Sequence, residues 1–94
     1  MEFIEAAKRG DLSRMRQLET CSDRTGQVNV NFQYPPDGST ALFWAACCGH
    51  VMTCDWLIRH GARVNLANYK SGSLPLHGAA DRGHSDCVRL LIRR

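Results

Sequence analysis

The chain repeats itself, and this limits its fold more than any other feature. Gly38-Ser39-Thr40-Ala41-Leu42-Phe43-Trp44-Ala45-Ala46-Cys47-Cys48-Gly49-His50 returns, thirty-four residues later, as Gly72-Ser73-Leu74-Pro75-Leu76-His77-Gly78-Ala79-Ala80-Asp81-Arg82-Gly83-His84. Gly-Ser, Leu, Ala-Ala and Gly-His hold the same register. Cys54-Asp55-Trp56-Leu57-Ile58-Arg59 matches Val88-Arg89-Leu90-Leu91-Ile92-Arg93 in the same way. A degenerate copy lies upstream, where Ala6-Ala7-Lys8-Arg9-Gly10-Asp11 stands in place of Ala45 to His50. Its extra residues fall in the polar stretch Ser22-Asp23-Arg24-Thr25-Gly26-Gln27, after which Val30-Asn31 and Val64-Asn65 regain the interval. Self-similarity at this period means an array. Each unit is too small to bury its own apolar face and does so against its neighbours.

These motifs resemble the ankyrin repeat, whose period is ~33 residues and whose signature is Thr-Pro-Leu-His-x-Ala. The middle copy keeps Thr40, Leu42 and Ala45 but has Ala41 and Phe43 between them. The last copy keeps Pro75, Leu76, His77 and Ala79 but has Leu74 in place of Thr. Gly61-Ala62-Arg63-Val64-Asn65 is similar to the family's closing motif, with Arg63 replacing an Asp. The resemblance runs from about Phe3 to Arg94. It implies an all-α solenoid of helix-turn-helix units joined by short β-hairpin-like loops. The repeats fall at about 1–31, 32–65 and 66–94, in a single domain.

The resemblance also implies a function: binding another protein on a concave face of hairpin tips and first helices. Carried over by position, the helix residues before each glycine are Lys8 and Arg9, Cys47 and Cys48, and Asp81 and Arg82. The hairpin residues are Asp37 and Ser39, then Lys70, Ser71 and Ser73. Tyr34 and Tyr69 stand just before the tips, and tyrosine is enriched in binding surfaces. The family accepts hydroxylation on the Asn of its closing motif, which puts Asn65 forward. The alternative is that Asn65 hydrogen-bonds the hairpin.

The residues carry the architecture without the family name. Thr40 suits an N-cap, Pro75 suits a first helical position, and Leu74 lacks a capping oxygen. Gly49 and Gly83 permit tight turns, and Gly61 ends a helix. Ala45-Ala46 and Ala79-Ala80 are small where helices must approach closely. The second helices carry an apolar stripe of Met15, Leu18, Cys54, Trp56, Leu57 and Ile58, then Val88, Leu90, Leu91 and Ile92. The first copy is the more polar and suits an N-terminal cap. The last keeps an apolar stripe without polar replacements, so a longer array or multidomain parent is expected, with this segment as its capping start as the alternative function.

Composition removes other classes. Twelve basic against nine acidic residues give a net charge of +3, and the basic residues are spread along the chain. Nucleic-acid binding, which needs a concentrated basic face, ranks last. No apolar run approaches the ~18 residues of a membrane span, and Met1 to Glu5 do not read as a secretory signal. Five cysteines, an odd number, do not make a disulfide framework and point to a reducing compartment, cytoplasm or nucleus. Cys47, Cys48, His50 and Cys54 have the chemistry of metal ligands, but Cys54 is expected inward and Cys47-Cys48 outward, so no metal site is expected. An exposed Cys47 or Cys48 is open to modification. Trp44 and Trp56 are assigned to the core and not to an aromatic cage. His50 and His84 are assigned to the Gly-His turn. His84, Ser85 and Asp86 are mere sequence neighbours, and a triad needs converging geometry. No enzyme activity and no cofactor are expected, and the protein is expected to be a monomer.

Overall fold

The computed structural model describes residues 2–20, 30–33 and 37–93. Tyr34, Cys21, the stretch from Ser22 to Gln27 and the side chain of Leu18 lie outside what is described.

Among the described residues six helices follow one another in pairs: α1 (Glu2–Arg9) with α2 (Leu12–Thr20), α3 (Ala41–Cys47) with α4 (Val51–Arg59), and α5 (Pro75–Asp81) with α6 (Ser85–Arg93). Among the described residues there is no strand. The pairs stack, α1 on α3 and α3 on α5 in an inner row, and α4 on α6 in an outer one. Every helix is shorter than the ~12–15 residues that an isolated helix needs in water. Tertiary packing therefore holds them. Ala6, Ala7, Ala41, Leu42, Ala45, Ala46 and Ala79 bring the inner row into one core with Met15, Cys54, Trp56, Leu57, Cys87 and Leu91 of the second helices. The alanines let the inner helices meet closely, and the long side chains fill the space between the rows.

The helix starts follow their residues. Thr40 has extended backbone, and its Oγ1 accepts from the Phe43 N–H at 3.1 Å. Leu74 has the same backbone and no oxygen to offer, but His77 compensates from the other side. Its Nδ1 accepts from the Leu74 N–H at 2.9 Å, half of a reciprocal capping arrangement. The ends of α1, α3, α4 and α5 share one device. Gly49 N–H bonds the Ala46 carbonyl and His50 N–H the Ala45 carbonyl, at 3.1 and 2.9 Å. Gly10-Asp11, Gly61-Ala62 and Gly83-His84 repeat the pair. These are Schellman ends, in which a left-handed residue closes the last carbonyls.

The turn also joins one repeat to the next. The His50 ring lies over Gly10, and its Nε2–H donates to the Lys8 carbonyl at 2.9 Å. The His84 ring lies over Gly49. At φ +79° Gly49 sits where a side chain is strained, and a Cβ there would stand 2.6 Å from His84 Nδ1. Glycine is required twice over, for the turn and for the ring.

The loops continue the stack. Asn68 N–H bonds the Ser73 carbonyl at 3.0 Å, closing a hairpin-like tip. The Asp37 carbonyl accepts from Tyr69 N–H at 2.8 Å across the junction. Gln33 Nε2 bridges the Gly38 and Ala67 carbonyls at 3.1 and 2.7 Å. Asn31 donates to the Gly61 carbonyl and accepts from Arg63 N–H.

One expectation about the stripe is corrected. The apolar pattern places Ile92 in the buried stripe, yet it is 68% exposed. Its counterpart Ile58 is half-buried and packs against the core. Ile92 lies on the outward side of α6, against which no described element packs.

Candidate functional site

The inner helices end side by side, so their last residues form rows across the stack. Lys8, Cys47 and Asp81 occupy one row, and Arg9, Cys48 and Arg82 the next. Arg9, Cys48, Asp81 and Arg82 are exposed, and Lys8 is half-buried. Lys8 carries two interactions. Its Nζ stands 4.5 Å from the centre of the Trp44 ring and 3.9 Å from the Glu5 carboxylate. A cation over an indole at a partly exposed site contributes about 0.5–1 kcal/mol.

Cys47 is corrected. It is 8% exposed, because α5 crosses it at Gly78, where a Cβ would stand 3.0 Å from the Cys47 sulfur. Burial pushes its thiol above the ordinary value, with the Arg82 charge pulling the other way. Cys48, one residue on, is the exposed thiol of the pair.

Ser39 is corrected for a similar reason. It is 1% exposed, tucked under the next hairpin, whose Asn68 amide donates to its hydroxyl at 3.4 Å. Asp37 is half-buried, and its Oδ1 accepts from Ser39 N–H. Ser73 is half-buried, its hydroxyl 2.8 Å from that of Ser71. Ser71 and Lys70 are exposed. Tyr69 stands 71% exposed with its ring against Gly38. The structure thus brings Lys8, Arg9, Cys48, Asp81 and Arg82 onto one surface, with Tyr69, Lys70 and Ser71 at the third repeat's tip.

The tryptophans part company. Trp56 is buried, with its ring 6.4 Å from Phe3 and stacked on His60 at 4.0 Å. Trp44, also assigned to the core, is half-buried and meets the Phe43 ring edge-on at 5.6 Å. Sequence reasoning missed Trp44 as a surface residue. The available signal was its row, since the aligned residue of the first repeat is the charged Glu5.

Asn65 is exposed. The hydrogen-bonding role of its motif falls to Asn31, which clamps the following loop. His84 rests on Gly49, and Asp86 pairs with Arg89 at 3.4 Å, so neither turns toward Ser85 as a triad would. Among the described residues no three His, Cys, Asp or Glu side chains are placed to hold a metal ion, and no helix is long and apolar enough to cross a membrane.

A family model for ankyrin repeats, in three copies, matches residues 3–94. Notch-regulated ankyrin repeat-containing protein A of Danio rerio is 36% identical over 93 residues, covering 98% of this chain and 80% of that protein. The human Notch-regulated ankyrin repeat-containing protein is 34% identical over 93 residues, with 98% and 78% covered. The solved ankyrin repeat domain of human ASB11 superposes with a TM-score of 0.85 at 30% identity, over 99% of this chain and 39% of that one. Matched over nearly its whole length, the chain belongs to the ankyrin repeat family.

Proposed function

We propose that the protein binds another protein on the surface formed by the ends of α1, α3 and α5 and the third hairpin tip, with no chemistry of its own. Ankyrin repeats in general are protein–protein interaction modules. The observation that carries the reading is the row Arg9, Cys48 and Arg82, exposed in register over a backing of buried alanines. A surface held this way is already ordered, so little entropy opposes binding. The free thiols Cys47, Cys48, Cys54 and Cys87 support a reducing compartment, cytoplasm or nucleus, and the protein acts as a monomeric adaptor.

The test is capture of partners by the protein, by a variant with alanine at Lys8, Arg9, Asp81 and Arg82, and by Met52→Glu on the outer helix. Partners lost with the fourfold variant and kept with Met52→Glu support the site. Partners kept by a folded fourfold variant defeat it.

A second reading has its own observation. Ala80 is exposed where its counterpart Ala46 is fully buried, and Ile92 is exposed where Ile58 is packed. The outward face of α5 and α6 thus has the composition of a covered one. In this reading the three repeats are the capping start of a longer stack.

A further inference from the structure

Two arginines on the outer helices pair within their own helix, Arg59 with Asp55 at 2.9 Å and Arg89 with Asp86 at 3.4 Å. At the ends of the inner helices, Arg9 and Arg82 have no carboxylate partner among the described residues. They are not needed as caps, because the last carbonyls of α1 and α5 already accept from Gly10, Asp11, Gly83 and His84. The negative end of each helix favours a cation, but it leaves the guanidinium donors open to a ligand. Glu5 is engaged by Lys8, and Asp81 stands in the Lys8 row. Between the two arginines the row holds only Cys48, with the Trp44 ring beside it, capped on one side by the Lys8 ammonium.

We propose that this row takes an extended acidic segment of a partner protein, with two carboxylate groups bound by Arg9 and Arg82 and an apolar side chain between them on Trp44. Stacked helices lie ~8–10 Å apart, so two steps separate the ends of α1 and α5 by ~16–20 Å. Extended chain advances ~3.3 Å per residue, which sets the carboxylates about six residues apart. A guanidinium matches a carboxylate with two parallel hydrogen bonds. Steering by unpaired charge adds salt dependence.

The inference rests on the concave-surface reading and names its partner class. The probe is a fluorescein-labelled peptide with a glutamate pair at each end and five residues between the inner glutamates, all serine except a leucine at the second, which shares their face in extended chain. Two controls replace the glutamates by glutamines or halve the spacer. Binding to the 94-residue protein is followed by anisotropy and by amide shifts. The glutamate peptide is expected to shift Cys48 and Gly83. The glutamine and short-spacer peptides are expected to bind at least roughly ten-fold more weakly. Arg9→Ala and Arg82→Ala are each expected to weaken binding roughly ten-fold, and Arg59→Ala to leave it unchanged. Absent binding, equal binding of glutamate and glutamine peptides, or indifference to both arginines overturns the acidic-partner inference. If the fourfold variant still loses captured partners, the surface reading survives that failure. Shifts confined to α4 and α6 overturn the acidic-partner inference as well.

Discussion

A thiol reacts as its thiolate, so exposure and proton affinity together decide which cysteine is available. Cys48 is exposed, whereas Cys47, Cys54 and Cys87 are buried. Burial pushes all three buried thiols above the ordinary 9.0, and the adjacent Cys87 sulfur pushes Cys54 further. In a Cys21→Ser background, iodoacetamide at pH 8 is expected to label Cys48 first. The other three should label only as fast as the protein unfolds, as peptide mass mapping can read. Similar rates for Cys48 and Cys54 would contradict the burial. The same residues set a pH dependence. The unfolded chain releases these protons near pH 9, while the folded protein holds them. Their contribution is therefore complete below that pH, and stability falls as pH rises above it. Urea midpoints between pH 7 and 10.5 should decline, and Cys54→Ala should decline less steeply. The cysteines also mark a limit of sequence reading. The odd count argued against a disulfide framework, but nothing in Cys47-Cys48 says which sulfur lies under α5. That depends on Gly78 of the following repeat, thirty-four residues from Trp44.

Each helix pair is defined by a start, a turn and a ring laid on its neighbour. Thr40→Ala removes the cap of α3 and should cost about 1 kcal/mol, read from the urea midpoint at constant slope. His77→Ala should cost less, since it removes one side of a cap that Leu74 never completes. Gly49→Ala should cost at least about 1–2 kcal/mol for the left-handed backbone alone. It also drives the His84 ring off its seat. Gly83→Ala serves as the control, because no atom lies within 4 Å of a Cβ there. It bears only the backbone strain, so the difference between the two variants isolates the inter-repeat contact. Equal losses would remove the ring from the account. The helix order, the turns and the caps were legible because they follow from local residue types: threonine or proline at a start, Gly-His at a turn, paired alanines between. The candidate surface was legible only in outline. Lys8, Arg9, Cys48, Asp81 and Arg82 came from their rows. Ser39 was misplaced because its burial comes from Asn68, on the next repeat's tip, and Trp44 because a large aromatic reads as core wherever it stands.

At the scale of the whole molecule, a residue's environment depends on which repeat it belongs to. Ala46 and Ala80 occupy the same place in consecutive repeats and have the same side chain. Ala46 is fully buried, since α5 covers α3, whereas Ala80 is exposed. One substitution made at both places measures that cover directly. Ala46→Glu drives a carboxylate into the junction of α3 and α5, where it has neither water nor a partner. Overpacking alone costs about 1–3 kcal/mol, and an unpaired buried charge adds several more. The total is a large part of the ~5–15 kcal/mol that holds a domain of ordinary stability together. Ala80→Glu places the same group in water and should change stability by less than about 0.5 kcal/mol. Urea unfolding of the two variants therefore separates a stacked repeat from an uncovered one without any partner present. Comparable losses would mean that the outward side of α5 is covered in solution, by self-association if the loss also varies with protein concentration. A loss at Ala46 alone leaves that side free, and Ala80 with the half-buried Leu76 and, on α6, the half-buried Val88 and the exposed Ile92 then remain an uncovered apolar patch.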